Sequence, residues 1–482
     1  MISTRVVIHI LGRLILMEAV FMALSIPVSL FYKEDDSLMI GISTLITLGG
    51  ALILILLSRK PNRSFGKREG FLVVTLSWFM FSLFGSLPFI LTGAIPDFTN
   101  AFFETMSGFT TTGSSILNDI ESLSHGILFW RSMTQWLGGM GIIVLSLAIL
   151  PVLGIGGIQL FIAEVPGPTK DKLHPRIKET AKRLWAIYLL LTSLELILLF
   201  LGGMDLFDSV CHSLTTMATG GYSTKQASIA AWNSPYIHYV ITIFMFLAGT
   251  NFTMVYFALK GKTHKLWRNE EFRTYTLFLA GFTIFFTLFL ALTRQGSFEL
   301  NFRESLFQVV SIMTTTGFAT VDFLTWAPIL VVLLFMLMFF GGSAGSTGGG
   351  IKIIRVWLII KNSYLELKRV LHPNAVIPIR YNKHAVPDKV TSNILNFVTL
   401  YMMVFIAGVL VMSLIGLDLE SAMGSVAASL GNIGPGLGSV GPAESFAHLP
   451  AIGKWVLSLL MLMGRLELFT VLVLFTPSYW KK

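Results

Sequence analysis

Charge is what this sequence has least of. Only 13% of its 482 residues are Asp, Glu, Lys or Arg, where a soluble domain carries about 25%. Cysteine is nearly missing too. Cys211 is the single one, which excludes a disulfide framework and any cysteine-based zinc site. No HExxH motif, Ser/His pair or paired aspartates on helices appear, which argues against an intramembrane enzyme. The run Gly345-Ser346-Thr347-Gly348-Gly349-Gly350-Ile351-Lys352 lacks the Gly-Lys-Ser/Thr ending of a phosphate-binding loop, so the chain has no nucleotide motif of its own.

What is present is long apolar segments. The chain is 54% hydrophobic with a mean hydropathy of +0.74. Runs such as Met39–Leu57, Gly70–Leu91, Leu184–Leu201 and Ile394–Ile415 approach the ~20 residues needed to cross a bilayer. The composition is that of an integral, multi-pass membrane protein. No small-residue cleavage site precedes Tyr32-Lys33-Glu34, so the first apolar run is expected to be a retained helix.

The net charge of +9 would suggest nucleic acid in a soluble protein, but its distribution says otherwise. Basic residues cluster at 59–68, 170–183, 260–273 and 352–389, and Arg5, Arg13, Lys481 and Lys482 lie near the ends. Each cluster is separated from the next by two spans. All therefore fall on one side, which the positive-inside rule makes cytoplasmic, with both termini there. The other loops hold few cations: Lys33, Lys225, Arg294, Arg303 and Lys454. The charge follows topology, and nucleic acid is not expected as a partner.

A polar stretch, Thr110-Thr111-Thr112-Gly113-Ser114, interrupts this apolar pattern and has a near copy at Thr314-Thr315-Thr316-Gly317-Phe318. Aligning on the glycine adds Thr219-Gly220-Gly221 and Asn432-Ile433-Gly434. Around each glycine the same plan recurs about every hundred residues: an apolar span, a short amphipathic piece, the polar tetrad, and a second span. The short pieces (99–109, 207–218, 302–314, 420–431) are too brief to cross, which marks re-entrant segments. Asp208 and Glu304 suit helix N-termini, where negative charge meets the macrodipole.

The expected fold is all-α and polytopic. A two-helix preface is followed by four pseudo-symmetric helix–pore loop–helix repeats around a central pore, giving ten spans and four re-entrant half-helices. The boundaries are 1–69 for the preface and basic loop, then 70–177, 178–271, 272–390 and 391–482 for the repeats.

Four half-helices ending at mid-membrane point negative poles at one place and favour a cation there. Beyond them, glycine permits backbone that turns carbonyls inward. Stacked carbonyls replace the hydration shell of a weakly hydrated monovalent ion. No carboxylate ring lies in the tetrads, so K⁺ is favoured over Ca²⁺ or Mg²⁺.

At this point the sequence resembles the Trk/Ktr/HKT superfamily of K⁺ transporters, and within it the bacterial TrkH type. Besides the four loops, the resemblance rests on Gly138-Gly139-Met140-Gly141, Pro151-Val152-Leu153-Gly154-Ile155-Gly156-Gly157, Pro166-Gly167-Pro168, the glycine-rich run 341–350, and Gly464-Arg465-Leu466-Glu467. It implies a K⁺ uptake subunit of the bacterial inner membrane with filter residues Thr111, Thr112, Gly113, Thr219, Gly220, Gly221, Thr315, Thr316, Gly317, Asn432, Ile433 and Gly434. It also implies a homodimer and a cytosolic nucleotide-binding ring of the RCK type. That ring would dock on Lys170–Arg183 and Lys352–Lys389, segments that could equally serve only to set topology. The fourth loop departs from the Thr-rich pattern, so the filter is expected to be asymmetric.

Downstream of each filter glycine comes another at a similar distance: Gly139, Gly249, Gly342 and Gly464. If the repeats superpose, Met140, Thr250, Ser343 and Arg465 form one layer below the filter, with Arg465 in the cation path. A charge at that depth is a functional hypothesis by default, the alternative being a structural partner elsewhere. A continuous helix through 341–350 would lose about 1 kcal/mol per glycine relative to alanine, so this inner helix is expected to break into a loop unless the glycines serve close helix packing. By resemblance, Gly341, Gly342, Gly345, Ser346, Thr347, Gly348, Gly349 and Gly350 form the family's gating loop, acting with Arg465.

Other polar residues carry weaker expectations. His212 reads as packed and hydrogen-bonded, and Glu104, Asp205, Asp322 and Asp418 either draw cations to the outer mouth or act as caps. Coupled K⁺/H⁺ or K⁺/Na⁺ symport is the competing mechanism, with Glu195 and Glu467 as the clear buried carboxylates.

Overall fold

The computed structural model describes residues 3–58, 66–141, 177–294 and 296–481. The motifs at 151–157 and 166–168, the second half of the expected span 127–153, and most of the basic clusters at 59–68 and 170–183 lie outside the described residues. Among the described residues, six helices are long and apolar enough to cross a membrane: Thr4–Phe31, Ser37–Leu57, Arg68–Leu91, Ala181–Leu201, Glu270–Thr293 and Asp388–Leu414. The first two are the preface. The other four are the outer helices, each followed by a short helix that stops inside the protein.

These pore helices span Phe98–Phe109, Leu206–Met217, Phe298–Met313 and Leu419–Gly431. Three match the expected pieces to within a residue or so. The third begins four residues earlier than expected, so Glu304 is no helix-terminal charge. It lies within the helix and pairs with Arg294 at 2.6 Å. The true N-caps are Asp97, Asp205, Ser297 and Asp418, each accepting from the backbone N–H three residues on. A short polar side chain satisfies an amide the helix cannot bond, and in three cases it adds negative charge at the positive pole. Asp208 stands in the first turn of its helix, as expected of a charge that meets the macrodipole, and accepts from Thr224 Oγ1 at 2.6 Å.

The inner helices are where the expectation of continuous spans fails. The second bends by 111° between Pro235–Ala248 and Phe252–Leu259, and the fourth bends by 111° between Ala451–Arg465 and Phe469–Phe475. The first leaves α-helical geometry after His125–Trp136, where Gly139 takes a non-helical ψ of −113°. The third ends after ten residues, Pro328–Leu337. Glycine weakens each helix at this level, and local caps complete the break. Asn251 Oδ1 accepts from Thr253 N at 2.8 Å to start a new helix. Leu468 N reaches back to Met463 O at 2.8 Å, with Glu467 left-handed at φ 56°.

One apolar core runs through all four units. Trp78, Phe81, Phe89, Phe102, Phe103, Phe109 and Trp130 are fully buried around the first pore helix. His212 is buried as expected, bonded through Nδ1 to Asp208 O (2.8 Å) and through Nε2 to Ser223 Oγ (2.9 Å).

Asp205→Ala removes one pore-helix cap and is expected to lower stability by about 1 kcal/mol. The measurement is the thermal midpoint of the purified protein in detergent. An unchanged midpoint would show that the cap contributes nothing.

Candidate functional site

Each pore helix ends the same way. The amides of Thr112, Gly220, Thr316 and Ile433 reach back five residues to the carbonyls of Ser107, Thr215, Ser311 and Ala428 at 2.8–2.9 Å. The residue between, Thr111, Thr219, Thr315 or Asn432, is left-handed at φ 53°, 53°, 62° and 53°. This is a Schellman-type C-cap, a position that normally falls to glycine. Three threonines occupy it instead, and a β-branched residue there is uncommon enough to point to function. Two residues on, Gly113, Gly221, Gly317 and Gly434 are left-handed again, at φ 83°, 78°, 81° and 104°. Alternating hand along a short strand is what aligns successive carbonyls on one side.

The four strands meet in sequential order and close on themselves. A Cβ built on Gly113 would overlap the Gly220 oxygen, one on Gly221 the Thr316 oxygen, and one on Gly317 the Ile433 oxygen. A Cβ on Gly434 would come within 2.9 Å of the Thr112 oxygen, completing the ring. Each of the four glycines therefore faces a carbonyl oxygen of a neighbouring strand, and the series closes into a ring. Any side chain at these glycines would occupy that space.

The walls are tied sideways. Ser114 Oγ donates to Gly434 O (3.0 Å), and Asn432 Nδ2 donates to Thr112 Oγ1 (2.9 Å). Gln135 Nε2 donates to Gly220 O (2.6 Å) while its Oε1 accepts from Tyr222 N (3.0 Å). Arg131 stacks over the Tyr222 ring at 3.5 Å, pairs with Glu104 at 2.7 Å and donates to Ser223 O at 2.9 Å. Glu104 is thus buried and neutralised, and offers nothing to a cation at the outer mouth. Asp205, Asp418 and Asp322 are helix caps.

The fourth strand differs from the others in side chain and not in backbone conformation. Asn432 is the αL residue where the others place threonine. Its amide spans to the first strand and to Met461 O at 2.9 Å.

Below the ring lies the glycine-rich segment. Short pairing of Phe340 with Ile351 and Gly341 with Lys352 pinches off a loop that contains every expected gate glycine but Gly341, which lies in the pairing itself. Gly349 N donates to Thr315 Oγ1 at 2.6 Å, so the loop touches the lowest polar layer of the third strand. A Cβ on Gly348 would approach Thr314 O to 2.9 Å, and one on Gly349 would approach the Asn432 Cβ to 2.8 Å. The close approach accounts for the glycines better than helix packing does. The far side of the loop is held by Ser343 N to Gly249 O (2.8 Å), Asn251 Nδ2 to Ala344 O (2.6 Å) and Ala344 N to Glu271 Oε1 (2.6 Å).

Arg465 bridges this loop and the first inner helix. Its guanidinium donates to Thr347 O (2.6 Å), Gly138 O (2.6 Å) and Gly139 O (3.0 Å). The register expected from Gly139, Gly249, Gly342 and Gly464 is off by one in the fourth unit. Gly464 packs on Leu430 O as Gly138 packs on Phe109 O, whereas Gly139 and Gly249 meet Tyr188 and Tyr275 of the next outer helix. Arg465 is therefore level with Gly139 and Gly249, which is why it reaches their layer. Glu467 pairs with Arg355.

Sequence reading missed Gln135, Asn251, Glu271, Lys352 and Arg355. Lys352 donates to Gly348 O and lies within Coulombic range of Arg465, Arg355, Glu467 and Glu271. Three of the missed residues are charges placed within or beside spans, and the rarity of charge at that depth was the available signal.

Gly317→Ala is expected to abolish cation flux, because its Cβ would overlap a carbonyl of the ring at a left-handed position. Tracer Rb⁺ uptake into liposomes, with correct insertion verified by thermal melting, makes the measurement. Wild-type flux would contradict the ring geometry.

Comparisons with known proteins agree over the whole chain. The family model described as TrkH, cation transport protein, matches residues 36–482. The chain is 43% identical over 483 residues to the Trk system potassium uptake protein TrkH of Escherichia coli (strain K12), covering 99% of each. It is 41% identical over 487 residues to TrkH of Halomonas elongata, covering 100% of each. Among solved structures, the potassium transporter TrkH from Vibrio parahaemolyticus matches with a TM-score of 0.90 and 39% identity, over 99% of this chain and 100% of that one. On this evidence of sequence and fold together, the chain belongs to the TrkH family of Trk-type K⁺ transporter subunits, which are transporters and not enzymes.

Proposed function

We propose that the chain takes up K⁺ by permeation through the ring formed by its four pore-helix strands. Its architecture is read as the preface plus four repeats, ten spans in all, with the repeat boundaries stated above. K⁺ would be coordinated by the filter residues from Thr111–Gly113, Thr219–Gly221, Thr315–Gly317 and Asn432–Gly434. The observation that carries this reading is the closed sequence of glycine-to-carbonyl approaches among the four strands. Carbonyls so placed replace the hydration shell of K⁺, and the pore-helix C-termini add negative potential there.

In this reading the loop 341–350 and Arg465 form the barrier to conduction. A loop hydrogen-bonded to the lowest polar layer leaves no room for a hydrated ion, and a guanidinium at the same level repels one. Opening requires the Thr347 and Gly349 contacts to break. Relatives carry the name Trk system, which points to further components of a complex. A cytosolic nucleotide-binding ring acting on the 352–389 segment is the proposed controller, and a homodimer in the inner membrane the proposed assembly.

Symport with H⁺ is the second reading, favoured by Glu18 and Glu195, which are 1% and 0% exposed within spans. Reversal potentials in liposomes at varied K⁺ and pH separate the two. A potential that follows the K⁺ gradient alone supports permeation, and one that shifts with the proton gradient sinks it.

Arg465→Ala is expected to raise basal K⁺ flux by about tenfold, on the scale of a lost barrier of roughly 1.4 kcal/mol. Unchanged or reduced flux in well-folded protein would remove Arg465 from the gate.

A further inference from the structure

Four of the cations on the side away from the basic segments face very different surroundings. Arg294 pairs with Glu304, Arg303 with Glu299 at 3.0 Å, and Lys454 donates to Asn100 Oδ1 at 2.7 Å and Ala447 O at 2.8 Å. Lys225 does none of this. Among the described residues its ammonium makes no hydrogen bond or ion pair, although its backbone is pinned by a 3.0 Å bond from its N–H to Ser223 Oγ. It lines the same cavity as Gly113, Gly221, Gly317 and Gly434. That cavity opens directly onto the ring of carbonyls.

The other ionisable groups on the cavity wall do not cancel it; Asp208, which is not on the wall, feels the Lys225 charge but makes no ion pair with it and already accepts from Thr224 Oγ1 at 2.6 Å. Arg131 is already matched by Glu104 in a buried pair. Glu444, the other charged residue on the wall, is exposed to solvent, where water and salt screen it. Lys225 is half-buried and follows the second filter strand by only four residues. Ser223, whose Oγ anchors the Lys225 backbone, is itself fixed by His212 Nε2 and by Arg131, so the stem of Lys225 starts from a rigid point.

We infer that Lys225 is a K⁺-affinity determinant: a tethered positive charge in the outer mouth that lowers the local cation concentration and raises the external K⁺ needed to fill the filter. This rests on the permeation reading above. Low-dielectric walls concentrate the field of a charge at a cavity mouth, and the sign of that charge decides whether cations gather or thin out. A carboxylate mouth would gather K⁺ and saturate at low concentration. A lysine mouth keeps the pore responsive at higher external K⁺. A conductive pathway gains from such an element, since ions held too strongly at the mouth leave slowly.

The test is the K⁺ dependence of flux through the full-length protein in neutral phosphatidylcholine liposomes. At low ionic strength Lys225→Gln should lower the KM for K⁺ by about two- to fivefold, the range for one unit charge near the mouth. The difference should shrink when N-methylglucamine chloride raises the ionic strength. Lys225→Arg should keep the wild-type KM. Wild-type protein supplies an arm that needs no variant: its KM should fall as the same salt is added, because a repulsive charge is being screened. A KM unchanged in Lys225→Gln, a change that ignores ionic strength, or a wild-type KM that rises with salt overturns the inference while leaving permeation intact. Absence of any K⁺ flux in wild type overturns both.

Discussion

The structure depends on four backbone strands approaching so closely that a neighbour's carbonyl oxygen takes the place of a side chain. Gly113, Gly221, Gly317 and Gly434 are each set against the next strand's oxygen, and the series closes from the fourth back to the first. Everything outside serves that approach. The pore helices deliver the strands with identical C-caps, and Arg131, Gln135, Tyr222 and Asn432 hold them apart by fixed hydrogen bonds. A cluster of oxygens with no cation repels itself. The lateral ties keep the ring open, at the cost of burying an arginine–glutamate pair beside it.

The second constraint lies one layer down, where every inner helix breaks. A continuous helix would carry its side chains past the ring and leave no space for a loop. Breaking at Gly139, at Gly249, after Leu337 and after Arg465 frees carbonyls at a single level. Those carbonyls are reused. Gly138 and Gly139 receive Arg465, Gly249 receives Ser343, and Ala248 receives Thr347. The glycine-rich loop is thus held by backbone groups that the broken helices can no longer satisfy. The loop is also tied to the long basic helix. Glu271 grips the loop while the adjacent Glu270 pairs with Lys361 of the long basic helix Ile353–Leu371.

Much of this was legible in residue order. The glycine alignment located all four αL positions, including the Asn432 that a threonine search would pass over. The glycine run at 341–350 marked its loop, since no helix tolerates so many glycines. Other parts were not legible. Glu304 looked like a capping charge because acidic residues favour helix starts, yet Ser297 caps that helix and Arg294 claims the carboxylate. The bends at Gly249 and Arg465 were hidden because the flanking residues remain apolar, and hydropathy does not sense direction.

The sequence by itself determined the membrane class, the expectation of a fourfold plan, the candidate filter glycines and the placing of Arg465 at the end of an apolar run, because each follows from local physics: hydrophobic length, helix capping and the freedom of glycine. Tertiary structure alone decided that Arg465 bonds carbonyls of Gly138 and Thr347, that Glu467 goes to Arg355, that Glu104 is spent on Arg131, and that Lys225 lines the cavity beside the filter glycines. Those pairings join residues up to hundreds of positions apart. They depend on how far each inner helix runs before it breaks, and a one-residue shift in that length changes which group a charge can reach.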